Sequence, residues 1–301
     1  MISWKRIGWI VFFCYLCVFS LIQSALVISI SKELLTMFFE VLIPSLFFLM
    51  VVLKIMEQSG ILRALSKWLF GWLAMFIKSD EEELPYLFSG IFLGFAANAL
   101  IIKDAYHHSN LSKESALRIL YSIHSPTITF CVITCGTLLF DIRYGFLLFA
   151  IQSIVSLLCY RFLYTSTKIH HQTIYKPVFA CIKDALLSTG LGLYQMAGYM
   201  LLSSIILSFL LLYAPQPLHL PLYAITEFAS SSVKVCNLAI PVINKLLILS
   251  FIFGFGGICG HLQVFTFAEE LRPNYITYAS LRVLQAIVSA LLMGVFIYIF
   301  L

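Results

Sequence analysis

The chain has 301 residues, 61% of them hydrophobic and only 11% charged, with a formal net charge of +5. Soluble domains run near half apolar and about a quarter charged, so this composition excludes a water-soluble globular protein and points to one compact membrane domain. The basic excess would suggest nucleic acid in a soluble protein; here it is first to be sorted by membrane side.

A membrane-crossing helix needs about 20 apolar residues. Lys5 and Arg6 precede an apolar run that is too long for a signal peptide and lacks a small-residue cleavage site, so a retained helix over Trp4 to Ile30 is expected. Leu34 to Met56 is a second crossing. Ile61 to Ile77, where Arg63, Lys67 and Lys78 punctuate Trp68, Leu69, Phe70 and Trp72, reads as an amphipathic helix along the surface. Leu84 to Ile102 is interrupted by Gly90, Gly94, Ala96, Ala97 and Asn98, and it reads as a re-entrant hairpin. Crossings follow at Ala116 to Leu139, Tyr144 to Tyr164 and Val178 to Tyr213. A second hairpin is expected over Leu218 to Ile240, broken by Ser230, Ser231 and Ser232, before crossings at Leu246 to Ala268 and Tyr275 to Leu301.

The expected fold is therefore all-α integral membrane, with about seven transmembrane helices and two re-entrant hairpins. An inside N-terminus and an outside C-terminus place fifteen Lys and Arg residues inside against four outside (Lys32, Arg143, Lys234, Lys245). The basic balance then needs no nucleic acid. Gly94 to His124 and Ser231 to His261 are both 30 positions apart. An odd number of crossings separates the two units, so they would be inverted repeats. The divisions are an N-terminal helix over 1–33, a first repeat over 34–164 with its hairpin at 84–108, and a second over 165–301 with its hairpin at 218–241.

Polar residues at membrane depth are costly and mark sites. His124, Ser125 and Pro126 interrupt the third crossing; proline frees carbonyls about four residues upstream, and a site with Tyr121 and Thr127 follows, against a plain packed kink. Gly254, Gly256, Gly257 and Gly260 precede His261 and Gln263; close helix packing explains the glycines but not the polar pair. In the second hairpin Glu227 and Lys234 either pair across the arms or bind solute with Ser231. Asn98 is the candidate of the first tip. Lys103, Asp104, His107 and His108 are placed in headgroup territory, and His170 and His171 in an inert loop. Eight scattered cysteines read as small buried hydrophobes, with Cys14 and Cys17 lacking a redox context, so no cofactor or metal is expected. No hydrolase or phosphate-loop motif is present, and no enzyme is expected.

Phe255-Gly256-Gly257, His261-Leu262-Gln263-Val264 and Leu281-Arg282-Val283-Leu284 resemble the C-terminal signature of the YlbJ-like sporulation integral membrane proteins. Ser89-Gly90, Gly94, Asp104, Ser112-Lys113-Glu114 and Ser125-Pro126 are similar to that family's first hairpin and broken helix, and the likeness runs from about Leu34 to the end. It implies membership of the nucleoside-recognition, or Gate, group, shared with concentrative nucleoside transporters and ferrous-iron transport protein B. It further implies solute held between hairpin tips and helix breaks and, in spore formers, movement of dipicolinic acid. The chain departs from the family where Gly94-Phe95 is followed by Ala96, Ala97 and Asn98, and where His124 and Ser125 alone precede the proline.

The expected function is a bacterial cell-membrane transporter of a small anionic organic solute, dipicolinate-like or nucleoside-like. It would use Asn98, His124, Ser125, Thr127, Glu227, Ser231, Lys234, His261 and Gln263. Two histidines and a lysine against one glutamate carry the anion argument. Coupling to H+ or Na+ and self-association into a homo-oligomer stay open. The alternative is a non-transporting scaffold of sporulation or the envelope, which the short polar loops disfavour.

Overall fold

A computed structural model of the chain describes residues 4–108, 110–163 and 175–300. Among them every regular element is helical. His170, His171 and most of the loop that carries them lie outside the described residues. Five helices are long and apolar enough to cross a membrane: Ser24–Gln58, Ile142–Phe162, Val178–Tyr213, Val242–Phe267 and Tyr275–Phe300. Their outward faces carry side chains such as Phe179, Leu191, Ile276 and Leu291, all exposed, while Ser, Gln, His and Arg side chains are buried between helices. That inside-out distribution is the one a hydrocarbon solvent favours.

The first two expected crossings are not separate. Helix α1 (Trp4–Ile22) leads into α2 (Ser24–Gln58) through Gln23, whose N–H donates to Phe19 and whose carbonyl accepts from Val27, so the helical ladder continues through a bend. Partners on α9 (Val178–Tyr213) confirm the direction: Lys54 meets Ser188, Ser31 meets Ser204, and Phe19 meets Phe209. The partner number climbs steadily as the chain is followed backwards, so α1 continues past α2 instead of returning beside it. The polar stretch 31–33, which reads as a loop, stays helical because its groups find partners: Ser31 lies 2.7 Å from Ser204 Oγ, and Glu33 takes Lys234 at 2.8 Å.

Helix α3 (Ile61–Ile77) is the expected amphipathic helix. It buries Leu62 and Ser66, sets Phe70 against Phe88, and exposes Trp68, Trp72 and Phe76. The first hairpin is α4 (Leu84–Leu93) and α5 (Phe95–His107), joined at Gly94. Ion pairs hold its base. Glu83 is bonded by Arg118 and Tyr160, Lys54 donates to Asp104 at 2.8 Å, and His107 meets Glu270 at 2.5 Å. His107 and His108 are exposed as expected, whereas Asp104 is drawn to the buried Lys54 because an unpaired ammonium there would be costly.

The third expected crossing is broken, as its proline requires. Helix α6 (Lys113–Ser122) stops before an irregular 123–127, and α7 (130–138) resumes with a π-helical turn over Phe130–Cys135. Helix α8 (Ile142–Phe162) lies so close to α7 that a Cβ on Gly145 would stand 2.7 Å from Val132 Cα. After α9 come the short α10 (His219–Thr226) and α11 (Phe228–Cys236). The sixth expected crossing is α12 (Val242–Phe255) and α13 (Gly257–Phe267), broken at Gly256, and α14 (Tyr275–Phe300) closes the bundle against α12. Gly254 allows that approach, since a Cβ there would lie 2.6 Å from Ala286 Cα.

Candidate functional site

Each short-helix pair docks its joint on a break in a long helix. Gly94 adopts φ 81° and ψ 166°, a region that only glycine enters readily. A Cβ there would lie 3.0 Å from both Ser125 O and Thr127 N, so the first joint is pressed against the break at 123–127. Phe95 N–H donates to Ser125 O at 3.1 Å, and Ser125 Oγ donates to Ile91 O at 3.3 Å. The second joint falls at Glu227, not at the serines. Extended backbone at Glu227 (φ −144°, ψ 120°) lets its carboxylate cap α11, accepting from Ala229 N–H at 3.0 Å and Ser230 N–H at 2.6 Å. This joint rests on the other break: a Cβ on Gly257 would lie 3.1 Å from Phe228 N and Thr226 O.

Between these four pieces lies a narrow cavity of about 40 Å³. Phe38, Leu42 and Leu46 of α2 and Met196 and Met200 of α9 cover it; its polar groups come from Ser125, Thr127, Glu227 and Gln263. Those are four of the nine expected residues. The other five are placed elsewhere, each for a local reason. Asn98 Oδ1 accepts from Ser89 Oγ at 2.8 Å, tying the arms of the first hairpin together. Ser231 Oγ bonds back to Phe228 O at 2.9 Å. Lys234 does not pair with Glu227; it reaches Glu33 at 2.8 Å and lies over the Tyr223 ring at 4.2 Å. It opens instead onto a wide vestibule between α2, α7 and α11, which Glu33, Glu40, Thr134, Thr137 and Ser230 also line.

The two histidines are close together but screened from the cavity. Phe95 stacks on His124 with centroids 4.2 Å apart, and its ring fills the space that a side chain on Gly260 would need. Behind it His124 and His261 are 6.3 Å apart, and Tyr278 stands 6.3 Å from the first and 5.2 Å from the second. His261 Nε2 lies 2.8 Å from Phe255 O, a carbonyl exposed by the break at Gly256. A carbonyl only accepts, so Nε2 carries the proton.

Sequence reasoning missed the groups that stabilise the first break. Pro126 has no N–H, so carbonyls at the end of α6 lose helical donors. Arg282, fully buried on α14, donates to Tyr121 O, and Gln285 Nε2 donates to Ser122 O at 2.7 Å. Ser289, one turn further, donates to Gln152 Oε1, and Gln152 donates to Ser250 O at 2.9 Å. The available signal was the spacing of Arg282, Gln285 and Ser289, which puts three polar groups on one stripe of an otherwise apolar helix. Gln285→Leu leaves Ser122 O buried without that donor, and thermal unfolding in detergent is expected to show a loss of about 1–3 kcal/mol.

Apolar outer faces, five candidate spans and two joints seated on two breaks define a multi-pass, transporter-like membrane protein. Residues 39–140 match the family model Gate, described as nucleoside recognition. The match runs from α2 through the first hairpin and the first break to the end of α7; Glu227 and Gln263 lie beyond it. Comparisons with curated proteins and with solved structures return no match.

Proposed function

We propose that the chain is a secondary transporter that holds its solute in the cavity between the two joints and the two breaks, and that it catalyses no bond-making step. The observation that carries this reading is the seating of each joint on a helix break, with Ser125, Thr127, Glu227 and Gln263 turned into one cavity. The arms support re-entrant hairpins: 10 and 13 residues in the first, 8 and 9 in the second, each shorter than the roughly 20 a crossing requires. Inverted repeats over 34–164 and 165–301 follow the same logic, since each would contribute one hairpin and one broken helix. With Lys5 and Arg6 set aside because α1 does not return beside α2, twelve described basic residues would fall on the side of the first hairpin's base against four on the other. That side is cytoplasmic in this reading, in a bacterial cell membrane.

The lining favours an uncharged, hydroxyl-bearing solute such as a nucleoside. Glu227 is the charged side chain among the lining residues, and the cations behind the anion argument are elsewhere, Lys234 on Glu33 and the histidines behind Phe95. A carboxylate and an amide suit hydroxyl and base groups, and the flanking Phe95, Phe130 and Phe228 suit a ring. A dipicolinate-like anion is the second reading, favoured by the imidazole that a movement of Phe95 would uncover. For coupling, Tyr121 O and Ser122 O are engaged by Arg282 and Gln285, which leaves proton coupling the simpler reading than sodium at those carbonyls.

Proteoliposome uptake of labelled nucleosides and dipicolinate, driven by a proton or a sodium gradient, tests this. Saturable nucleoside uptake that is lost in Gln263→Leu is expected. Dipicolinate uptake with nucleosides excluded would reverse the solute class, and uptake of neither would favour a membrane scaffold of sporulation or the envelope.

A further inference from the structure

The cavity between the joints has about 40 Å³, whereas pockets for small solutes hold about 300 Å³ or more, so it is closed. The vestibule beside it has about 1020 Å³. The wall between the two is one helix thick, because three elements present opposite faces to them. On α2, Phe38 and Leu42 line the cavity while Met37 and Val41 line the vestibule. On α7 the division is Phe130 against Ile133 and Thr134, and on α11 it is Phe228 against Val233 and Lys234. Two of these segments, Phe38–Leu42 and Phe130–Cys135, are π-helical turns, which are rare and gather at functional sites. The inner layer of the wall is apolar, Phe130 and Phe228 meeting edge to face with centroids 5.6 Å apart. On the vestibule side an ion pair crosses the seam: Lys234 of α11 holds Glu33 of α2 at 2.8 Å. Tyr223 supports both partners, its ring 4.2 Å from the ammonium and its hydroxyl donating to Glu33 Oε2 at 3.3 Å.

We propose that the vestibule is the outer mouth of the solute path and that the Lys234–Glu33 pair latches the wall behind it. A solute moving from vestibule to cavity has to part α11 from α2 and α7. That movement draws Lys234 away from Glu33 and opens the contact between Phe130 and Phe228. The energetics suit a wall that opens. Side chains of the latch are 36% and 39% exposed, so water takes over either charge when they separate, and such a pair holds by no more than about 1 kcal/mol. At the base of the first hairpin the Arg118–Glu83 pair is 4% and 2% exposed, and parting it would strand two charges away from water. The base is therefore the fixed end of the molecule, and the vestibule wall is the end that moves. The barrier and its latch stand on this geometry; their use by a solute rests on the transport reading.

The test uses the native Cys259, which lines the cavity, in the full chain carrying Cys14→Ser and Cys17→Ser. Intact expressing cells and inverted membrane vesicles are treated with a charged, membrane-impermeant methanethiosulfonate, and mass spectrometry follows modification at Cys259. Glu33→Gln and Lys234→Met are each expected to speed modification in intact cells by about two- to fivefold, the range over which a partly exposed ion pair shifts an opening equilibrium. The reversed pair, Glu33→Lys with Lys234→Glu, should bring the rate back toward that of the parent. An unchanged rate in both single variants overturns the latch, and modification confined to inverted vesicles overturns the vestibule as the mouth. A saturating nucleoside or dipicolinate is expected to slow modification. Faster modification in the variants with no protection by either solute supports the latch and counts against the transport reading instead.

Discussion

Replacing Gly256 with alanine is expected to destabilise the detergent-solubilised protein by about 2–4 kcal/mol, from left-handed strain together with overpacking. Gly256 has φ 78°, and a Cβ there would run into the His124 imidazole. The imidazole has little freedom to retreat: Phe95 stacks on one face, and His261 and Tyr278 stand around it. Moving it would also displace Phe95, which walls the cavity and touches Phe228 at the second joint. Gly198 is the control. A Cβ at that position on α9 meets nothing within 4 Å, so Gly198→Ala should leave the unfolding temperature unchanged or raise it by the helix-propensity gain of up to about 1 kcal/mol. Equal losses in both variants would show that the break at Gly256 has no special packing.

Glu227→Ala is expected to abolish uptake and to lower stability by about 1–2 kcal/mol, the usual range for a lost N-cap. Two functions meet in this carboxylate. It caps α11 through Ala229 and Ser230, and it faces the cavity. Glu227→Asp and Glu227→Gln separate them. Aspartate is a good cap but withdraws the carboxylate from the cavity by one methylene; glutamine keeps the reach but has one acceptor oxygen in place of two. If Glu227 binds solute, aspartate should retain stability while half-saturation for uptake rises, and glutamine should lose uptake. Full uptake with either variant would confine Glu227 to capping.

Much of the architecture was legible because it follows from local constraints. Pro126 cannot donate a backbone hydrogen bond, so a break before α7 was readable from one residue. Gly94 marked a joint between two arms too short to cross, and Gly256 marked a break, since positive φ selects glycine. The amphipathic pattern of Ile61–Ile77 likewise became α3. The second joint was less legible. Three serines look like a tip by composition, yet the backbone turns at Glu227, whose side chain caps the helix in which those serines lie. The stretch 31–33 misled for a similar reason: charge and hydroxyls suggest a loop unless a partner on another helix is known.

Sequence alone determined that the chain lives in a bilayer, where its helices must break, and which polar residues need an explanation, because those properties are set by composition and by backbone chemistry within a turn or two. Tertiary structure decided which of those residues share a cavity. Lys234 finds Glu33, Arg282 finds Tyr121 across 161 positions, and Phe95 screens both histidines, leaving Ser125, Thr127, Glu227 and Gln263 to face the cavity. Such pairings depend on how helices far apart in the chain rotate against each other, and a polar residue in an apolar helix carries no local sign of which neighbour will satisfy it.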